Sequence, residues 1–416
     1  MKVLAMAWRN LFRHKMRIMT TLSAVILSLA GLVVFQGFLQ QLMAAFRDST
    51  ILSGLGHIQI SSSQQYWKTG EYSPYAFGIP QAKAIEEHLR KDARVSAVFP
   101  STGFTAVAGI GTHSTTLLVK AYPPERMLFS SHTATSADPS QLSRQQFSLG
   151  TLEAGQLPGP RSTNKLWLGT TAAKILHVKP GATVTLMALL PNGGVNGRDF
   201  AVQGLFSSPG FDKDFAYTDY ATAMSFTGQQ NPPVLNVILT HRQTTKAVNS
   251  DLRQRFPAVS TRTWRQLAVY YEQVNGMFGS FLGVIQAIIL LVSLFLLSNA
   301  MARTVLERQK EWGTLRAVGS PARGIITLIL TEGMLWGALG SLSGVALGLV
   351  SCAVVNLWGG LPFHNGPQLL TVPLRPDLSN IAKIILPFVA TGALAALGPA
   401  LKAVRQNPAD SLRERA

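Results

Sequence analysis

Residues 307–321 read Glu307-Arg308-Gln309-Lys310-Glu311-Trp312-Gly313-Thr314-Leu315-Arg316-Ala317-Val318-Gly319-Ser320-Pro321. Val305, Leu306, Trp312, Leu315 and Val318 recur at helical spacing, which predicts a short amphipathic helix lying at a membrane's inner surface. Gly319 suits the position just past a helix end, where a left-handed residue is needed. Ser320 then reads as an N-cap and Pro321 as the first residue of the next helix. Helix, sharp corner, helix is the prediction. Apolar runs flank the corner at 274–301 and 325–355, each long enough for the roughly 20 residues of a bilayer crossing.

Two further apolar runs lie at 18–46 and 381–401. The first is about twice the apolar length of a signal peptide, so an uncleaved first span is expected. Lys2, Arg9, Arg13, Lys15 and Arg17 precede it with no acid among them. The corner carries Arg303, Arg308, Lys310, Arg316 and Arg323, and the tail Lys402, Arg405, Arg413 and Arg415. Cytoplasmic segments collect such cations, so these three segments belong inside and the large middle region outside. The net charge of +17 therefore reads as topology rather than as nucleic-acid binding, and the 14% of charged residues is low for a soluble chain. Cys352 is the only cysteine, which excludes an intrachain disulfide.

The expected organisation is a cytoplasmic segment (1–17), a first span (18–46), an outer domain (47–263), and a stalk with the second span (264–301). A cytoplasmic coupling segment (302–322), third span (323–356), short outer link (357–379), fourth span (380–401) and tail (402–416) follow. The fold class is a membrane α-helical protein with four transmembrane helices and a large α+β extracytoplasmic (periplasmic) domain between the first two. The stalk reads as a helix from Trp264 through Met301, longer than the bilayer core requires. In the outer domain, 57–61, 114–120, 183–189, 200–206 and 234–240 read as strands, and 81–89, 166–176 and 244–256 as helices. A β subdomain is expected between about 121 and 226. Residues 190–197 read as the turn of a hairpin. Leu189, Leu190, Pro191 and Val195 near its tip are candidates for gripping a partner.

No catalytic or metal signature is present: no H-E-x-x-H, no G-x-S-x-G, and no phosphate-binding G-x-x-x-x-G-K-[ST] loop. His57, His113 and His177 are scattered and read as structural. If ATP is used, a separate polypeptide is expected to hydrolyse it. Gly333, Gly337, Gly340, Gly344 and Gly348 give the third span a surface for close packing against the fourth span or a second subunit. Glu332 is an acid within that span.

The corner closely resembles the signature of the FtsX-like permease family, E-R-x-x-E-x-G-x-L-R-A-x-G. The matching residues are Glu307, Arg308, Glu311, Gly313, Leu315, Arg316, Ala317 and Gly319. Glu332-Gly333, the Ala7-Trp8-Arg9-Asn10-Leu11 start and the Asn407-Pro408-Ala409 tail are also similar. Gly56-His57-Ile58-Gln59-Ile60 after the first span resembles the LolC/LolE and MacB group. The resemblance implies an ABC transporter permease in the bacterial inner membrane that binds no cofactor itself. A cytoplasmic ABC ATPase dimer would carry ATP and Mg, and a second permease copy or a related permease would complete the transporter. The corner, with Trp312, would then couple the ATPase, and the long helices would carry motion to the outer domain, the mechanism called mechanotransmission. Expected cargo is a lipoprotein, lipid or other hydrophobic molecule, with a periplasmic carrier or adaptor as partner. MacB-like efflux and FtsX-like control of a cell-wall hydrolase are the alternatives.

Overall fold

The computed structural model describes residues 15–70, 74–131, 148–159, 162–190, 193–207, 213–365, 368–376 and 381–405. The Ala7–Leu11 and Asn407–Ala409 matches, and Pro191 of the hairpin, lie outside the described residues. The chain divides into two compact units, Met1–Ala44 with Val274–Ala416, and Ala45–Gln273.

The first unit is helical. Helix α1 (Lys15–Thr50) precedes the second unit. After it come α7 (Val269–Glu307), α8 (Gln309–Ala317), α9 (Ala322–Leu357) and α10 (Ile381–Arg405). Four of these are long and apolar enough to cross a membrane: α7, α9, α10 and the Leu22–Asp48 part of α1. The link between α9 and α10 forms a two-stranded hairpin, Leu361–Asn365 with Gln368–Val372. Asn356 closes its base, its side chain exchanging two hydrogen bonds with the backbone of Leu374 at 2.7 and 2.8 Å.

The glycines of α9 divide between two partners. Methyl groups added at Gly340, Gly344 and Gly348 would meet Leu22, Leu29 and Val33 of α1 at 3.2, 2.7 and 2.7 Å. At Gly337 an added methyl would come within 2.5 Å of the Phe388 carbonyl, and at Gly333 it would collide with the Gly392 carbonyl. Gly340, Gly344 and Gly348 thus pack on the first span rather than on the fourth. Only small residues let two backbones come this close.

The second unit carries an eleven-stranded sheet. Strand β2 (Val95–Ile110) is its backbone: the first half pairs with β10 (Val234–Leu239) and the second with β3 (His113–Tyr122). Three cores form along it, the third joining Phe99 and Ile238 to Tyr122, Trp167, Phe206 and Tyr217. The first joins β1 (Ile58–Ser61), β10 and the start of β2 to helices α2 (Ala82–Arg90) and α5 (Thr245–Arg255), through Ile58, Ile60, Ile85, Leu89, Leu235, Val248 and Leu252. The second lies under helices α3 (Thr170–Leu176) and α4 (Tyr220–Thr227) and is filled by Phe104, Val119, Leu168, Leu186, Phe200 and Phe226. The whole stretch Ala45–Gln273 is one compact unit, and the pairing with β3 already starts at Thr102, inside β2.

Three local readings are corrected. Residues 166–176 are not one helix: β6 (Lys165–Gly169) precedes α3. Leu166, Trp167 and Leu168 are all fully buried, so their apolar run carries no strand alternation to read. The hairpin turn is shorter than expected, because β8 (Val195–Ser207) already pairs Val195 with Leu189 of β7 (Thr183–Leu189). The stalk is not continuous from Trp264: Trp264–Leu267 is a separate turn (α6), and Ala268 breaks it from α7 with φ −84° and ψ 58°.

Candidate functional site: the helical corner and the roots of the long helices

Arg308 stands between α7 and α8. Its Nε donates to Glu311 Oε2 at 2.8 Å, and its Nη1 to the two carboxylate oxygens of Glu332 at 3.0 and 3.3 Å. The guanidinium lies 4.5 Å from the Trp312 ring centroid. Arginine suits this position because its planar fork can stack on an indole and still bond two carboxylates. The side chains of Arg308 and Glu332 are only 12% and 6% exposed, so the charge of each is balanced by the other. Glu332, an acid inside a span by sequence, is thus the anchor to which the corner is tied.

Trp312 is 3% exposed and packs among Leu297, Met301, Val305, Ile329, Trp336 and Ala396. Gly313 beside it is buried. Arg316 Nη1 donates to the Val404 carbonyl at 2.7 Å, tying the end of α8 to the last turn of α10. The corner itself is a Schellman motif: Ser320 N–H bonds the Leu315 carbonyl and Gly319 N–H the Arg316 carbonyl, each at 3.0 Å. Gly319 has φ +92°, the left-handed region that a side chain would strain. The next helix begins one residue later than the sequence implies. Pro321 occupies the cap position, without a side-chain cap, and Ala322 opens α9; Ser320 closes the Schellman motif through its backbone N–H. Leu306, Leu315 and Val318 are left 55%, 39% and 87% exposed. The expected apolar face is therefore split, Val305 and Trp312 inward and these three outward.

In the second unit, the strand after α1 and the strand before α7 are neighbours: β1 pairs with β11 (Ser260–Thr263), Ile58 opposite Thr263. Ile51, Trp264, Ala268 and Tyr271 form a small core there with Phe46, whose ring lies 5.6 Å from that of Tyr271. His57 clasps the junction. Its N–H bonds the Val237 carbonyl at 2.8 Å, its carbonyl accepts from Trp264 N at 3.0 Å, and its Nδ1 accepts from Leu239 N at 3.2 Å. Burial holds the imidazole neutral, pushing its pKa down to about 4.

At the hairpin, Met187, Leu189 and Val195 are 45%, 62% and 68% exposed, and Val107 stands opposite Met187 on β2. The alternation of β7 sends Val184, Leu186 and Ala188 into the core and these residues outward. The rings of His113 and His177 lie 4.5 Å apart, a pairing the sequence did not reveal. Among the described residues no three His, Cys, Asp or Glu side chains gather as a metal site.

The MacB-like periplasmic core domain family matches residues 18–255, and the FtsX-like permease C-terminal family matches 283–408. The lipoprotein-releasing system transmembrane protein LolC of Haemophilus influenzae is 25% identical over 61% of this chain and 65% of its own. The macrolide export ATP-binding/permease protein MacB of Azoarcus sp. is 27% identical over 52% of this chain and 33% of its own. An uncharacterized ABC transporter permease of Methanocaldococcus jannaschii is 28% identical over 37% of each chain. The chain thus spans between 33% and 65% of the length of these relatives. Among solved structures, the periplasmic region of MacB from Actinobacillus actinomycetemcomitans is 14% identical, over 53% of this chain and 95% of its own, with a TM-score of 0.34. With four apolar helices, an α+β domain between the first two, and family matches over both parts, the chain belongs to the FtsX-like, MacB-type family of ABC transporter permeases, multi-pass proteins of the inner membrane.

Proposed function

We propose that this permease is driven through its cytoplasmic corner by a separate ABC ATPase, and that it moves a hydrophobic cargo, a lipoprotein or lipid, on the periplasmic side. The supporting observation is the corner's construction. Helix α8 is fastened to α9 by the Arg308–Glu332 pair and to α10 by Arg316, so a push on α8 displaces those helices instead of bending a loose loop. Leu306, Leu315 and Val318 remain exposed and give an ATPase an apolar surface to grip. ATP and Mg would sit on that partner, and a second permease copy would complete the transporter. The exposed Leu189 and Val195 of the hairpin would meet a periplasmic carrier or adaptor.

The test is co-purification of the cognate ATPase with Val318→Asp and Leu315→Asp variants in detergent. Both side chains are exposed, so thermal stability should stay at the wild-type value while recovered ATPase falls at least about tenfold, a loss of about 1.4 kcal/mol in binding. Full recovery of the ATPase with both variants would overturn the reading. For the cargo, release of a lipidated protein from membrane vesicles should require ATP and should be lost in Val195→Asp.

A further inference from the structure

Helix α10 contains Pro387, which has no N–H to give the carbonyl four residues earlier, that of Lys383. In a bilayer no water replaces such a bond, so the carbonyl needs a donor from a neighbouring helix. Gln286 supplies one: its Nε2 donates to the Lys383 carbonyl at 3.2 Å. Gln286 is a polar residue in an apolar stretch of α7. Leu282, Ile285, Ile289 and Leu290 around it pack with Ile381, Ile384 and Phe388 of α10. Past the proline, the backbone of α10 meets α9 directly, where Gly337 and Gly333 admit the Phe388 and Gly392 carbonyls; before it, Ile384 shares a core with Val345 of α9 through side chains alone. The Thr391 hydroxyl donates to the Pro387 carbonyl at 2.8 Å, a back-bond that favours bending.

We infer that Gln286 is a positioning residue: it supplies the hydrogen bond that Pro387 forfeits and so fastens the turn of α10 before the proline to α7. The helix then has its hinge at Pro387, with a hydrogen bond to α7 on one side and close backbone contact with α9 on the other. Displacement of α7 is handed to α10 at Lys383. Only this last step rests on the proposed coupling; the clasp stands on the geometry alone.

A double-mutant cycle on the purified full chain tests the clasp without any partner. Gln286→Leu removes the donor. Pro387→Ala restores an N–H that can reach the Lys383 carbonyl within α10. Hydrogen exchange is read over peptides covering 381–391, beside the thermal midpoint. Gln286→Leu alone should speed exchange there about fivefold to tenfold, the range of one net hydrogen bond. In the Pro387→Ala background the same change should have at most a twofold effect, since the carbonyl already has a partner. Equal effects in the two backgrounds would overturn the inference, as would no effect in either. Should Gln286→Leu fold poorly, Gln286→Asn, one methylene shorter, gives the same contrast. Transmission is read separately, as ATP-driven protection changes in 381–391 of the ATPase-bound complex. Changes that persist undiminished in Gln286→Leu would overturn the transmission step and leave the clasp in place.

Discussion

Deleting the Glu332 carboxylate should loosen the corner by an amount the geometry sets. Arg308 reaches both Glu332 oxygens through Nη1, at 3.0 and 3.3 Å, from a side chain only 12% exposed. Removing one member of a buried pair strands the other charge and costs about 3–5 kcal/mol. Arg308 would keep Glu311 at 2.8 Å and its stack on Trp312, so Glu332→Ala should sit at the lower end, about 3 kcal/mol. Glu332→Gln keeps the shape and one acceptor and should cost about 1–2 kcal/mol. Combining Glu332→Leu with Arg308→Met removes both charges, and with them the desolvation cost, so stability should return to within about 1 kcal/mol of wild type. The assay is chemical denaturation of the purified chain in detergent, with hydrogen exchange across α8. Wild-type stability and exchange in Glu332→Ala would refute the reasoning. So would a double variant no more stable than the single one, since the cost would not come from a stranded charge. The double variant also separates stability from coupling: it should be stable yet support less ATPase-driven release, because the ion pair that ties the corner to α9 is gone.

Gly333→Ala should destabilise the helical unit by about 1–3 kcal/mol, because the new methyl meets the Gly392 backbone, which cannot step aside. Gly398→Ala in α10, with nothing within 4 Å, should be neutral or slightly stabilising in the same denaturation assay. The unit Ala45–Gln273 should lose stability as pH falls from 6.5 toward 4. His57 binds a proton more readily unfolded than folded there, so its contribution, at most about 3 kcal/mol, is complete above pH 6.5 and gone below about 4. Asp48 opposes the depression and Arg47 adds to it, and His57→Gln should flatten the thermal midpoint across that window. Asp219 caps α4, its Oδ2 accepting from Thr222 N at 3.0 Å and Thr222 Oγ1 at 3.1 Å; Asp219→Ala should cost about 1 kcal/mol by thermal melting.

The spans were legible because apolar length and flanking cations are long-range averages that no single contact overturns. Strand β7 was legible because one face is buried and the other wet, which writes an alternating pattern into 183–189. Strand β6 was not, because burial on both faces removes that alternation and leaves a run that fits a helix equally well. The spacing of Gly340, Gly344 and Gly348 announced a close approach but not its partner, since Leu29 and Val33 lie 315 residues before Gly344 and Gly348. Gly319 could be read as a helix stop because its signal is local. Ser320 was misplaced by one step because it still belongs to the Schellman turn, its N–H on the Leu315 carbonyl, and the extended residue before α9 is Pro321.

What the sequence could not display is the division of labour among the polar residues inside the helical unit. Glu332, Gln286 and Arg316 each meet a partner that chain geometry brings close from far along the sequence: Arg308 across 24 residues, Lys383 across 97, Val404 across 88. None is a catalytic arrangement, and each joins a different pair of helices. Apolar packing between spans is similar in energy to packing against lipid tails, so it holds helices together without fixing which residue lies opposite which. A hydrogen bond to a buried charge or to the carbonyl that a proline leaves does fix it, because sliding by one turn would break that bond. Three such bonds, set at the corner, at the proline and at the last turn of α10, fix the register of the helices they join. That register is what a permease needs if a displacement imposed at α8 is to arrive elsewhere undiminished. Loss of any one bond should therefore weaken coupling more than it weakens folding.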